Sequence, residues 1–407
     1  MTHTPARPEA PAPAPASPPP SSRPVDFGPE TVAEGPKSTA REEESRAGGG
    51  LEASVDPGPR GRVRPRRKVV LFAVLAVALV VMSLVAAGTG QLQIAPDEVL
   101  GSILHKIGIT IWPLPQHPNG DSALWTIRFP RVALAILVGA ALAAAGMIMQ
   151  AIFGNPLAEP GVVGVSSGAA LGASASIVFG LNFLGDWTIA AAAFAAGLVA
   201  TLLVYAVSRA NGKTEVVTLV LTGIAVNAFA GAGLALFMFL ADTQSREAIV
   251  FWQLGSLNGA RWQDVLVVLP VVVVGLAAAL ILSRRFDLLS LGEKAARHLG
   301  VNVEVLRIVS IVLVALLTGA AVAFCGIIAF VGLVIPHLMR MIIGPSHRPL
   351  LIASVLGGAL LLVTADLFAR TAVPMADLPI GMLTSLIGGP FFFWLLRRTR
   401  KKSGGWG

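Results

Sequence analysis

The chain has 407 residues, of which 54% are hydrophobic and only 13% are charged, and its mean hydropathy is +0.74. A soluble domain carries about 25% charged residues, so this composition excludes an ordinary water-soluble protein and indicates the lipid bilayer as the main solvent. The net charge of +8 comes from basic residues that flank apolar runs, which is typical of membrane topology signals and not of a nucleic-acid-binding face, while the single cysteine excludes an internal disulfide.

The first 61 residues differ in composition from the rest of the chain. They are rich in Pro, Ala, Gly, Ser and Glu and contain almost no large apolar residues. Such a segment cannot bury enough apolar surface to fold, so we predict a disordered cytoplasmic tail over residues 1–61. It does not resemble a secretory signal, because the first apolar run begins only near Val69.

Eight apolar runs follow that are long enough to cross a bilayer, which takes about 20 residues. In chain order they are Val69–Thr89, Val132–Phe153, Val162–Leu181, Trp187–Val207, Val216–Leu240, Val265–Ser283, Leu350–Phe368 and Ile380–Leu396. A further stretch between Arg307 and Ile343 is too long for one span and contains Gly326, Gly332 and Pro336. It predicts either one long tilted helix or two shorter ones.

Positive charge favours two helices in that stretch. If it crossed only once, Arg340, Arg348 and the basic end of the chain would lie outside, against the positive-inside rule. We therefore predict an all-α membrane protein of about ten transmembrane helices, multi-pass in the cytoplasmic membrane, with both termini cytoplasmic. The membrane domain covers residues 62–398, and residues 399–407 form a basic cytoplasmic C-terminal tail.

Two segments resemble each other. Leu137–Ile148 reads LVGAALAAAGMI and Leu317–Ile328 reads LTGAAVAFCGII, with Gly139 matching Gly319 and Gly146 matching Gly326. In the predicted topology the first copy runs inward and the second outward. This pattern predicts an inverted internal repeat, which is a common way to build a transport pathway, although chance similarity between Ala- and Gly-rich helices is the alternative.

Several long motifs then indicate a family. The sequence RFPRVALAILVGAALAAAGMIMQAIFGNPLAEPGVVGVSSGA at Arg128–Ala169 closely resembles the permeases of iron-siderophore, haem and cobalamin ABC importers. The same resemblance extends through LTGIAVNAF at Leu221–Phe229, WQLGSLNGARW at Trp252–Trp262, LGEKAARHLGV at Leu291–Val301, FVGLVIPHLMR at Phe330–Arg340, ADLFAR at Ala365–Arg370 and LPIGMLTSLIGGPFFFWLLRR at Leu378–Arg398.

The resemblance implies a complex of several subunits with different functions. Two permeases, either two copies or a copy and a paralogue, would sit on two cytoplasmic ABC ATPase subunits and receive substrate from an extracytoplasmic substrate-binding lipoprotein. The chain itself would be no enzyme and bind no cofactor or metal, since the partner ATPase uses the ATP. The expected substrate is a ferric siderophore, with cobalamin or haem as alternatives. An ion-coupled secondary transporter is the remaining rival.

The resemblance also assigns roles to residues, beside their simpler readings. One short segment is predicted to dock into the ATPase. Its simpler interpretation is an amphipathic loop helix that rests on the membrane and ends at Gly300. The segment consists of Leu291, Gly292, Glu293, Lys294, Ala295, Ala296, Arg297, His298, Leu299 and Gly300. Three arginines, Arg128, Arg131 and Arg370, are expected either to meet acidic residues of the binding protein or to anchor span ends at lipid headgroups.

Polar residues inside the spans are few. The resemblance places the fifth and tenth spans along the pathway, with Asn227 as the best candidate. The expected pathway residues are Thr222, Asn227, Ser166 and Ser167, with ordinary hydrogen bonding between neighbouring helices as the alternative. Asp366 is the only carboxylate well inside an apolar run. Because Arg370 follows it by one helical turn, we expect Asp366 to be an ion-pair partner and not a proton carrier.

Overall fold

A computed structural model of the chain describes residues 65–210, 213–373 and 376–402. The tail predicted over residues 1–61 lies outside these residues. In chain order the α-helices are α1 (Pro65–Gly88), α2 (Pro96–Lys106), α3 (Gly120–Ala123), α4 (Phe129–Phe153), α5 (Val165–Val178), α6 (Thr188–Val207), α7 (Val216–Leu240), α8 (Thr243–Leu254), α9 (Trp262–Leu289), α10 (Glu293–His298), α11 (Val303–Cys325), α12 (Val331–Ile343), α13 (His347–Thr371) and α14 (Ile380–Lys402).

Shorter elements join these helices. A π-helical turn at Leu124–Arg128 leads into α4, and 3-10 turns precede α5 at Pro160–Val163 and α6 at Gly185–Trp187. The two-residue strands β1 (Arg209–Ala210) and β2 (Lys213–Thr214) pair antiparallel between α6 and α7. We call this pair the α6–α7 ribbon.

The prediction of an all-α membrane protein with about ten spans is confirmed. Among the described residues, seven helices or helical stretches are long and apolar enough to cross a membrane, and three shorter apolar helices accompany them at Val165–Val178, Val331–Ile343 and Ile380–Trp394. Helix α14 continues to Lys402, so the helix extends past residue 398, where we expected the membrane domain to end.

The ambiguous stretch forms two helices, α11 and α12. The break lies at Gly326, which has a φ of +69°, and at Phe330, which has a φ of +67°. Positive φ is incompatible with continuing a right-handed helix, so the chain turns here. Pro336 stays inside α12 and does not end it.

Contacts between helices show their relative directions. Arg131 of α4 lies against Asp366 of α13, and two turns further along α4, Gly139 lies against Gly358, so α4 and α13 are antiparallel. The same argument applies to α6 and α11, where Phe194 lies against Gly319 and Tyr205 lies near Glu304.

Helix ends therefore gather into two groups. One group, which we call the arginine end, contains Arg128, Arg131 and Arg370 together with the starts of α4 and α9, where Trp262 Nε1 donates to the carbonyl of Trp125 at 2.7 Å. The other group, the α10 end, contains α10, the α6–α7 ribbon, the end of α9 and the start of α13. The positive-inside rule predicts that the α10 end is cytoplasmic.

Packing around α4 and α11 supports the inverted repeat. Helix α4 packs on α13 and α12, while α11 packs on α6 and α5, which are the corresponding helices of the other half. One matched glycine pair follows this symmetry, because Gly139 adjoins α13 and Gly319 adjoins α6. The second pair does not: α4 continues through Gly146, whereas α11 ends before Gly326.

The core of the bundle is α4. In the most apolar 18-residue window of the stretch Gly120–Phe153, 83% of the residues are buried, against 11% in α1 and in α7. A helix that is apolar all round and covered on every side is a core helix. Helices α1 and α7 are also apolar enough to cross a membrane but lie at the surface, where lipid or another protein must cover them.

Candidate functional site

Three of the four expected pathway residues lie in the wall of a cavity between α5 and α7. The 3-10 turn at Pro160–Val163 approaches α7 so closely that a Cβ on Gly223 would lie 1.9 Å from the carbonyl oxygen of Val162. Gly164, with a φ of +80°, then redirects the chain into α5 in a conformation that favours glycine. These two glycines bring the start of α5 beside the middle of α7.

The cavity has a volume of about 520 Å³, and Ser166, Ser167 and Asn227 lie in its wall. The hydroxyl of Ser167 lies 2.5 Å from Asn227 Oδ1 and 3.1 Å from the carbonyl oxygen of Gly164. Asn227 Nδ2 donates to the carbonyl of Gly161 at 3.3 Å. Asn227 therefore ties α7 to α5 and the preceding turn, while its amide borders the cavity.

Thr222 does not lie in the wall of this cavity, so the structure does not bring it together with the other three. Two residues that the sequence analysis did not select do lie there, Glu159 and Gln253. Glu159 precedes the 3-10 turn, in a segment that sequence alone marks only as a Pro-flanked turn. Gln253 stands at the end of α8, which is too short to be detected as a span.

The remaining wall is mainly apolar, with Val162, Val220, Ile224, Leu234 and Ile327. Neither histidine nor cysteine is among the described residues that line it. A wall of this kind binds a ligand by shape, apolar contact and a few hydrogen bonds.

The short helix expected within Leu291–Gly300 is present as α10. It ends in a Schellman motif, in which Gly300 N–H donates to the carbonyl of Arg297 and Val301 N–H to that of Ala296, both at 3.0 Å. Gly300 has a φ of +83°, so the prediction of Gly300 as the residue after the C-cap is confirmed.

The apolar residues in and beside α10 are partly buried and partly exposed. Ala296 of the helix and Val301 after it are buried, whereas Leu291 and Leu299, which flank the helix, are 64% and 57% exposed. Lys294, Arg297 and His298 are exposed as well. The helix thus presents two leucines and several charges away from the bundle, which suits contact with another protein surface.

The three arginines at the other end are held inside the protein. Arg128 is buried and donates to the carbonyls of Ala87 at 2.7 Å and Gly88 at 2.9 Å. Arg370 donates to the carbonyl of Thr89 at 2.8 Å. These guanidinium groups satisfy the carbonyls at the C-terminal end of α1, which have no partners within the helix.

Arg131 forms the centre of an ion-pair network. Its guanidinium lies 2.9 Å from Asp366 and 2.9 Å from Asp377, while Arg370 lies 3.6 Å from Asp366. The expectation that Asp366 is an ion-pair partner is confirmed, although the stronger partner, Arg131, is 235 positions away in the chain. Docking of a binding protein by these arginines stays a prediction. Their internal contacts give them a structural role in addition.

Comparisons with known proteins agree with the resemblance. The model of the FecCD transport family matches residues 75–398. The chain is 40% identical over 356 residues to the hemin transport system permease protein HmuU of Yersinia pestis, covering 85% of this chain and 99% of that protein. It is 44% identical over 273 residues to the cobalamin import system permease protein BtuC of Halobacterium salinarum, covering 67% of this chain and 72% of that protein.

A solved structure is similar as well. It is described as an inward-facing conformation of a metal-chelate type ABC transporter, and it is 32% identical with a TM-score of 0.70. The match covers 81% of this chain and 99% of that chain. The whole helical bundle described above is therefore shared, and not only its motifs.

Proposed function

Because this chain belongs to the FecCD transport family, we propose that it is the membrane-spanning permease subunit of an ABC importer that carries a metal chelate across the cytoplasmic membrane. The observation that carries the proposal is the family match over residues 75–398. The cavity between α5 and α7 supports it, because its few polar groups and apolar wall suit an organic chelate.

The proposed cargo is a ferric siderophore, with haem and cobalamin as the alternatives. Relatives named for hemin and for cobalamin are both similar over long stretches, so similarity alone does not choose among the three. An ion-coupled secondary transporter is a weaker candidate. It would need a titratable group free to exchange a proton or ion. Asp366 is held by Arg131 and Arg370, so such a mechanism would have to use Glu159 in the cavity wall.

We further propose the assembly and cycle that the family resemblance implies. Two permeases, identical or paralogous, sit on two cytoplasmic ABC ATPases, and a binding protein delivers the chelate to the arginine end. ATP binding by the ATPases displaces α10, and the cavity changes the side to which it opens. Both chain termini are then cytoplasmic.

The test is uptake by proteoliposomes that contain the permease with its ATPase and binding protein. Ferric siderophore, haem and cobalamin are offered separately, with ATP or a non-hydrolysable analogue inside. We expect accumulation of one chelate that requires ATP hydrolysis. Uptake that follows an imposed proton or sodium gradient without ATP would contradict the proposal.

Charge reversal at Arg297 is expected to weaken the contact of α10 with the ATPase. Arg297 is 49% exposed in its side chain and pairs with Glu293 of the same helix. An exposed pair is worth about 0–1 kcal/mol, so Arg297→Glu changes the outward surface with little effect on the fold. We expect about a tenfold loss of uptake per ATP hydrolysed, with the purified permease as stable as the wild type. Arg285→Glu, at an exposed position on α9, is the matched control. If Arg297→Glu and Arg285→Glu moved the same amount of chelate per ATP hydrolysed, the proposed contact between α10 and the ATPase would be wrong.

Asn227→Leu is expected to impair uptake while leaving ATP hydrolysis intact. Leucine is close in size to asparagine but removes the hydrogen bonds to Ser167 and Gly161 and the amide that borders the cavity. We expect uptake to fall at least fivefold, mainly through a higher apparent KM for the chelate. Thr222→Val, on the same helix but outside the cavity wall, serves as the control. A similar loss in both variants would indicate general damage to α7.

A further inference from the structure

The α6–α7 ribbon is linked to α10 through a buried arginine of α11. Arg307 is only 8% exposed in its side chain. Its Nη1 donates to the carbonyl of Thr214 at 3.0 Å, and its Nη2 forms an ion pair with Glu293 of α10. A guanidinium is a rigid planar fork that can hold two acceptors at once. One side chain therefore connects two segments that are not adjacent in the chain.

A second side chain of α11 holds the same ribbon. Glu304, one turn before Arg307, accepts the backbone N–H of Thr214 at 3.1 Å and also its hydroxyl. The hydroxyl of Tyr205, near the end of α6, lies 3.5 Å from the same carboxylate. Both the backbone and the side chain of Thr214 thus bind the ribbon to α11. Arg307 of α11 in turn binds α10.

The ribbon leads directly into the helix that carries the pathway residue. Thr214 is followed by α7 at Val216, and Asn227 lies three turns along that helix, beside the cavity. A rigid helix can carry a displacement of one end along its length. A displacement of the ribbon would therefore reach the wall of the cavity.

We propose that Arg307 is the positioning residue that transmits a displacement of α10 to the α6–α7 ribbon and through it to α7. Because the guanidinium is buried, separating it from Glu293 would leave its charge without a carboxylate partner, and separating it from the carbonyl of Thr214 would leave a buried N–H donor unpaired. The three segments therefore move together. This inference rests on the proposed function, in which α10 is the part that the ATPase moves.

The test compares Arg307→Lys with Arg307→Met in the reconstituted complex. Lysine keeps the charge but offers a single ammonium, which cannot reach both partners in the geometry of the guanidinium; methionine removes the charge. Arg307 itself lies beneath α10, but its partner Glu293 is 45% exposed, so binding of the ATPase to each variant is measured alongside uptake. Arg348→Lys, at an exposed position near the same end, is the matched control.

We expect Arg307→Lys to assemble and hydrolyse ATP at the wild-type rate while moving about tenfold less chelate per ATP. Arg307→Met should lose at least as much, and Arg348→Lys nothing. A residue that merely stabilised the fold would instead lower assembly, hydrolysis and uptake together. Wild-type uptake per ATP in Arg307→Lys and Arg307→Met would overturn the inference.

A distance measurement gives a second readout. Spin labels at the exposed positions Lys294 and Val217, in a Cys325→Ala background, report the separation of α10 from the start of α7. We expect this distance to stay the same with and without an ATP analogue in the wild type and to change or broaden in Arg307→Lys. An identical response in both proteins would also overturn the inference.

The failure of this inference is distinguishable from failure of the proposed function. If the wild-type complex shows no ATP-dependent uptake of any chelate, the proposed function fails, and the role of Arg307 fails with it. If the wild type transports and the Arg307 variants keep its coupling, only the role of Arg307 is wrong.

Discussion

Gly146→Ala is expected to destabilise the bundle by about 3 kcal/mol or more, which is the upper end of the range for overpacked cores. A Cβ on Gly146 would lie 1.9 Å from the carbonyl oxygen of Gly332 and 2.5 Å from its Cα. These are backbone atoms, so no side-chain rotation relieves the clash. Helices α4 and α12 would have to separate at the centre of the bundle.

The matched control is Gly231→Ala in α7. A Cβ there meets nothing within 4 Å, and alanine is a better helix former than glycine by about 1 kcal/mol. We expect the thermal midpoint in detergent to fall strongly for Gly146→Ala and to stay the same or rise for Gly231→Ala. Equal midpoints for the two variants would contradict the close contact between Gly146 and Gly332.

Asp366→Ala is expected to destabilise the protein by about 3–5 kcal/mol, the range for breaking a buried ion pair from one side. The side chain of Asp366 is 2% exposed, and it is the shared partner of Arg131 and Arg370. Its removal leaves two guanidinium groups, 11% and 10% exposed, without their common carboxylate. The ends of α4 and α13 would then repel each other.

Asp377→Ala is the control for this prediction. Asp377 also pairs with Arg131 but is 32% exposed in its side chain, and solvent-accessible pairs are worth about 0–1 kcal/mol. Thermal unfolding of the two variants should therefore differ clearly, with Asp366→Ala much the less stable. A loss of the same size for both would mean that Arg131, and not Asp366, is the group on which the network depends.

The structure also adds a role for the three arginines that the sequence did not reveal. From the motifs, Arg128, Arg131 and Arg370 are expected to face a binding protein or the lipid headgroups. In the fold, all three close the arginine end by holding the last carbonyls of α1 and the carboxylate of Asp366. A substitution of any of these arginines therefore changes the stability of the arginine end together with any docking of a binding protein on it.

The sequence by itself determined the class of the protein, the number of apolar helices, the break between α11 and α12, and the position of α10 with its terminal Gly300. These features are local, because a bilayer requires about 20 apolar residues per span with all backbone hydrogen bonds made internally. Glycine with positive φ likewise ends a helix whatever its neighbours are.

Only the tertiary structure decided which polar groups meet. The ion pair between Arg131 and Asp366 joins residues 235 positions apart. Arg307 donates a hydrogen bond to Thr214, which precedes it by 93 positions. The sequence also did not predict that Glu159 and Gln253 lie in the described cavity wall or that Thr222 does not. Helices α5 and α7 are apolar on nearly every side, so no hydrophobic stripe marks which face borders the cavity.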